Sequence, residues 1–228
     1  MAGTDEACTF AQVDVASGTT PYTEGFRKAF KVTNGNQTSG AGAADDVSVS
    51  QNIEGQNLAQ SGWDYTSSSS FITLSFWVKS SVGQEYQAGL LSTDGTLYKY
   101  PFAFTLSANT WTKVVKTIPG NSNLQIDNDN GEGLRVSILP FMGTNYTDNS
   151  VSHDAWSTWS SSSRWKDSTS TWFTTNNTYG SFYNNMYRRF TIPRMVNTTY
   201  ISRSGPFTTY PTFRSTIPST RTSNGLTI

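Results

Sequence analysis

The stretch 71–81, FITLSFWVKSS, constrains the fold more than any other part of the chain. Ile72, Leu74, Phe76 and Val78 fall on one side of an extended backbone, and Phe71, Thr73, Ser75, Trp77 and Lys79 fall on the other. A half-buried β-strand sorts residues this way; a helix does not. Other segments of strand length follow the same rule, with turn residues between them. Residues 26–33 end at Asn34-Gly35, and 46–54 (DVSVSQNIE) place Val47 and Val49 together. Residues 85–92 and 97–106 are split by Asp94-Gly95, residues 111–118 end at Pro119-Gly120, and 134–139 and 181–190 complete the set. Short strands with such punctuation predict a sandwich or barrel. Pro101 lacks a ladder donor and predicts an edge strand or a bulge. Residues 56–61 predict one short helical turn.

Composition agrees. Charged residues are 14% of the 228-residue chain, against roughly 25% in an ordinary soluble domain, and 31 Ser, 33 Thr and 17 Asn take their place. Aromatic residues and Thr suit a pleated, half-buried surface, whereas Ser, Asn and Gly suit turns. The expected class is all-β, an antiparallel β-sandwich. No run of about 18 apolar residues predicts a membrane-inserted helix, and Met1 opens a polar stretch unlike a secretory leader. Cys8 is the only cysteine and His153 the only histidine, so neither a disulfide nor a zinc site is expected, and no cofactor motif occurs. The 16 basic and 16 acidic residues balance, which gives the chain no electrostatic reason to bind nucleic acid.

That balance hides an asymmetry. Residues 1–167 hold 10 basic and 16 acidic side chains, whereas 168–228 hold Arg188, Arg189, Arg194, Arg203, Arg214 and Arg221 and no acid. Prolines at 193, 206, 211 and 218 break the tail into short extended pieces. The expected organisation is a sandwich domain over 1–190 and an extended basic arm over 191–228. Either the arm is a lightly charged tail, or its arginines dock on the acidic body of this subunit or a neighbour.

Between about 143 and 180 the period of two disappears and tryptophans accumulate. Seven aromatic residues in a Ser/Thr-rich stretch argue against disorder. Trp156, Trp159, Trp165, Trp172 and Tyr179 admit two readings. Their faces can stack on sugar rings while Asn, Ser and Thr bond the hydroxyls, or they are core and interface anchors.

Catalysis has little to work with. His153 stands beside Asp154, but a serine near any histidine is expected by chance in so Ser-rich a chain. Spacing alone places no two of Asp45, Asp46, Glu54, Asp94 and Glu132 across a glycosidic bond. Asp127 and Asp129, in DNDNGE (127–132), could offer oxygen ligands to calcium. The EF-hand pattern fails there, and Asn or Asp before Gly is also what a plain turn requires.

Four segments taken together resemble a known module: IEGQNLAQSGW (53–63), FITLSFWVKSS (71–81), TWTKVVKTIPG (110–120) and NDNGEGLRVSI (128–138). In this order and spacing they are similar to a jelly-roll domain of bacteriophage virion proteins, above all tail fibres, over roughly residues 10–190. Asn145-Tyr146 and MYRRF (186–190) also resemble the end of that module, but its usual Gly-Val-Gln-Leu-Glu closing strand is not recognisable. The resemblance implies a fold similar to carbohydrate-binding modules. It implies a non-enzymatic structural protein on the particle exterior, as a tail fibre or capsid decoration that aids attachment to host surface polysaccharide. Its partners would be other virion proteins and further copies of itself, as a trimer. The alternative expectation is a carbohydrate-binding module associated with a glycoside-active enzyme.

Overall fold

The computed structural model describes residues 7–35 and 41–167, together with the backbone of two strands at 181–185 and 190–191. Strands are numbered in chain order. One sheet contains β1 (Thr9–Asp14), β2 (Lys28–Thr33), β4 (Phe71–Ser80), β7 (Thr112–Pro119), β10 (Ser181–Asn185) and β11 (Phe190–Thr191). The other contains β3 (Asp46–Glu54), β5 (Glu85–Ser92), β6 (Tyr98–Thr105), β8 (Glu132–Met142) and β9 (Ser157–Thr158). All ladders are antiparallel, and the chain passes repeatedly between the sheets, the wrapping of a jelly-roll sandwich.

The alternation in β4 sets the layers. Ile72, Leu74, Phe76 and Val78 are buried, and they meet Tyr86, Ala88 and Leu90 of β5, Tyr100 and Phe102 of β6, and Leu134, Val136 and Ile138 of β8 in one core. Phe76 packs edge-on against Phe104 of β6 at 5.7 Å, joining the two sheets through aromatic contact. Burying each large side chain contributes about 1.5–3 kcal/mol, which makes this layer the main source of stability. The Tyr86 hydroxyl is satisfied inside it by Ser80 Oγ at 2.6 Å and the Val82 carbonyl at 2.9 Å.

Predicted strands at 46–54 and 85–92 match β3 and β5 end to end. Pro101 lies in β6, just past Tyr98 and Lys99, the two residues that pair with the short β9, and its carbonyl is taken by the Asp154 amide rather than by a further strand. The helical turn is α2 (Gly55–Ala59). The strand predicted over 181–190 is strand where it is described, as β10 between β2 and β4 and as β11 on β4; residues 186–189 lie outside the described residues. Sequence reading passed over β1, whose residues are exposed except for half-buried Val13, so no inward–outward contrast marks it. A second short helix, α1 (Thr20–Thr23), follows β1. β10 pairs with both β2 and β4 and so lies between them in the first sheet.

The motif glycines meet at one end of the sandwich. A Cβ on Gly55 would lie 2.2 Å from the Asp127 carbonyl, and one on Gly133 would lie 2.6 Å from Gly55 Cα. A Cβ on Gly120 would strike the Tyr65 and Ser67 carbonyls at 2.5 and 2.6 Å. Tyr65 in turn donates its hydroxyl to the Ile126 carbonyl at 3.4 Å. The IEG, IPG and GEG segments are therefore spacers that let loops from both sheets stack directly on one another.

Candidate functional site

The outer face of the second sheet is roofed. Gln87, Gly89, Lys99 and Pro101 alternate with core residues and so point away from the core, yet all are buried. Residues 143–167 fold back across them. The roof starts at Gly143, where a Cβ would lie 2.4 Å from the Ala43 carbonyl, and a 3-10 turn over Thr144–Tyr146 carries it outward. The Tyr146 carbonyl then accepts the amides of Arg164 at 2.9 Å and Trp165 at 3.2 Å, and Asp148 donates its amide to the Trp165 carbonyl at 3.0 Å. The middle of the roof is tied to β6. Asp154, at φ 63°, donates to the Pro101 carbonyl at 2.8 Å, β9 pairs with Tyr98 and Lys99, and Trp159 donates to the Leu97 carbonyl at 2.8 Å. This is a layer built from turns and long-range bonds, which is why it shows no period of two.

Side chains from the sheet hold the roof from below. The buried Lys99 ammonium donates to the Ser163 carbonyl. Burial lowers the Lys99 pKa from its ordinary value, and the Asp148 carboxylate opposes that shift. Gln87 Nε2 donates to the Lys166 carbonyl at 2.7 Å, which turns Oε1 toward His153 Nε2 at 3.2 Å. His153 is thus part of the roof's fastening. Burial lowers its pKa first; Lys166 and Lys116 add to this, and Glu85 and Asp154 oppose it. Lys116 also pairs with Asp154 at 2.6 Å.

The three described tryptophans of the segment divide by environment. Trp165 is buried against Gly89, where a Cβ would meet its ring at 2.8 Å. Trp156 donates its indole N–H to the Pro119 carbonyl at 2.7 Å and packs edge-on against Tyr100 at 5.4 Å, fastening the roof to the end of β7 in the opposite sheet. Packing therefore describes these two rings. Trp159 is half-buried at the surface. The Arg164 guanidinium lies 4.3 Å from the Tyr146 ring centre and 5.6 Å from that of Trp159, with its Nε donating to the Ser161 carbonyl at 3.0 Å. Tyr146 and Arg164, which sequence reading passed over as binding residues, thus join Trp159 in one surface cluster. Only the three-dimensional pairing of 146 with 164 reveals it. Trp172 and Tyr179 lie outside the described residues, as do Arg188, Arg189, Arg194, Arg203, Arg214 and Arg221 of the arm.

The carboxylates considered for catalysis have local partners or stand apart. Asp45 is buried and accepts the Gly42 amide at 2.7 Å; Glu54 accepts the Gln56 amide group at 2.7 Å. Asp94 accepts the Asp127 amide at 2.8 Å, and Glu132 pairs with Arg135 at 2.9 Å. Asp46 opens β3. In the 127–132 loop, Asp129 Oδ1 accepts the Gly131 amide at 2.9 Å and Asp127 Oδ1 accepts from Gln125 at 3.1 Å, the bonding of a turn. The loop also receives α2, since Gly55 and Gln56 donate to the Gly131 and Asp129 carbonyls at 2.9 and 2.7 Å. Among the described residues no three His, Cys, Asp or Glu side chains gather as a metal site would require.

Fold and site together define an antiparallel β-sandwich with one sheet roofed by an aromatic segment. No family model matches the chain. No curated protein matches it. Among solved structures it is similar to one described as "Family 16 Carbohydrate Binding Module-2", at 11% identity and a TM-score of 0.31, over 75% of this chain and 79% of that one.

Proposed function

We propose that the protein is a non-enzymatic structural component of a bacteriophage virion, a tail-fibre or capsid-decorating protein that displays its sandwich on the particle exterior and contacts host surface polysaccharide. The order and spacing of the four motif segments support the virion part of this reading. The observation that carries the contact part is the environment of the roof tryptophans: Trp165 is buried and Trp156 is tied to Pro119 and Tyr100, whereas half-buried Trp159 is grouped with Arg164 and Tyr146. An indole face and a guanidinium fork side by side offer stacking and directed hydrogen bonds to a sugar. The basic arm, in this reading, docks on a neighbouring copy.

Light scattering at matched salt combined with a glycan array tests the proposal. The expected result is a trimer that becomes smaller when the chain ends at Thr191, and array binding that falls at least about tenfold in Trp159→Ala. A monomer with strong affinity for a soluble glycan would instead support the alternative, a carbohydrate-binding module that acts beside a glycoside-active enzyme. The surface position of Trp159 favours that alternative equally, so oligomeric state decides between the two. Array binding that survives Trp159→Ala would contradict the roof as the contact surface in either case.

A further inference from the structure

The arginines of the sandwich spend their guanidinium groups differently. Arg135 donates from Nη2 to Glu132 at 3.1 Å, and Arg27 donates from Nη1 to the Tyr22 carbonyl at 2.5 Å. Arg164 bonds through Nε instead, to the Ser161 carbonyl, and makes no ion pair among the described residues. Both of its Nη groups, the fork that can grip two oxygens of one acid, are therefore left without a protein acceptor among the described residues. The Tyr146 and Trp159 rings flank that fork, and all three residues are half-buried. Roof backbone fixes their spacing through the Arg164 amide on Tyr146 and the Trp159 amide on Leu97. Other polar ends in the cluster are unspent as well. The indole N–H groups of Trp63, Trp77 and Trp156 each donate to an oxygen, but among the described residues that of Trp159 has no protein acceptor, and the Tyr146 hydroxyl has no protein partner.

We propose that this cluster takes the carboxylate of an acidic sugar, so that the polysaccharide the protein contacts is one built with uronic acid units. The proposal rests on the contact reading above and narrows its ligand. The unspent groups are a guanidinium fork and an indole N–H, which only donate, and a phenol, which does both. A carboxylate only accepts, and it matches the fork with two parallel bonds. A neutral hydroxyl would leave the guanidinium charge unmet. The roof does not supply the missing acid itself. Asp148, which bonds to Trp165 through its amide, turns its carboxylate back to the Ser150 amide at 2.7 Å. Because the rings and the Nε bond already restrain the fork, little side-chain freedom is lost when a ligand docks. A single exposed ion pair is weak, so affinity accumulates along several sugar units while the carboxylate decides which chain is held.

The test compares oligomers of galacturonate, glucuronate and mannuronate with the same oligomers after reduction of their carboxyl groups to alcohols. Titrated into the full chain, at least one acidic oligomer is expected to bind with a dissociation constant on the order of 1 mM and to shift the amides of residues 146, 159 and 161–165. Its reduced counterpart should bind at least about tenfold more weakly, as loss of a hydrogen-bonded charge predicts. Arg164→Lys keeps the charge but not the fork and should lose most of that preference with little change in melting temperature. Arg27→Gln, which alters an arginine stacked on a tyrosine elsewhere, should bind like the wild type. Equal binding of acidic and reduced oligomers by the wild type would overturn the proposal, whatever the variants do to the fold. So would an unchanged preference in Arg164→Lys, or equally tight binding of a sulfated oligomer. Neutral glycans bound on an array and lost in Trp159→Ala, with no acidic oligomer bound, would overturn this inference and leave the contact reading standing. Silence from every glycan would overturn both.

Discussion

Gly89 and the Trp165 ring occupy one small volume. A Cβ at 89 would also lie 2.5 Å from the Tyr100 carbonyl and 3.0 Å from Pro101 Cα, and backbone cannot retreat as a flexible side chain can. Gly89→Ala is therefore expected to destabilise the protein by about 1–3 kcal/mol, read as a lower melting temperature with altered Trp fluorescence as the roof lifts. An unchanged melting curve would contradict the close approach. His153 makes the roof sensitive to acid. Its pKa is lowered in the folded state, so below the ordinary value of 6.5 the unfolded chain takes up the proton first and folding weakens as pH falls. Between about pH 7.5 and about pH 5.5 the wild type should lose more thermal stability than His153→Gln, in which no imidazole titrates. Equal losses would show that the imidazole does not titrate against the fold.

At the scale of elements, the roof separates residues that the sequence presents as equivalent. Trp165→Ala removes a buried ring and should cost about 3–5 kcal/mol, whereas Trp159→Ala removes a half-buried one and should cost only about 1 kcal/mol. Chemical denaturation of the two variants checks this, and similar losses in both would contradict the division of roles. Strands were legible wherever one face is buried and the other wet. DVSVSQNIE and FITLSFWVKSS carry that contrast residue by residue, so their limits could be read from the letters. TFAQVD could not be, because the β1 edge buries too little to pattern it. The roof was legible only as aromatic and non-periodic. What fixes it are bonds such as Gln87 to Lys166 and Lys99 to Ser163, separated by 79 and 64 residues, and pairing over that distance leaves no local trace. For the same reason Trp159 could not be told from Trp165 before the fold placed them.

Across the whole molecule, the motif glycines and the roof do complementary work. Gly55, Gly120 and Gly133 let loops from both sheets stack at one end, while Trp156 fastens the roof over one sheet to the end of a strand in the other. The sandwich is thus closed by close backbone packing and by a third, irregular layer over one of its two sheets. Hydrogen–deuterium exchange measures it directly. The amides of Asp148, Asp154, Trp159 and Arg164 each donate to a defined carbonyl, so they should be protected to the same degree as the amides of β5 beneath them. Exchange of those four amides at the rate of an open loop, with β5 still protected, would contradict the roof and the site built on it.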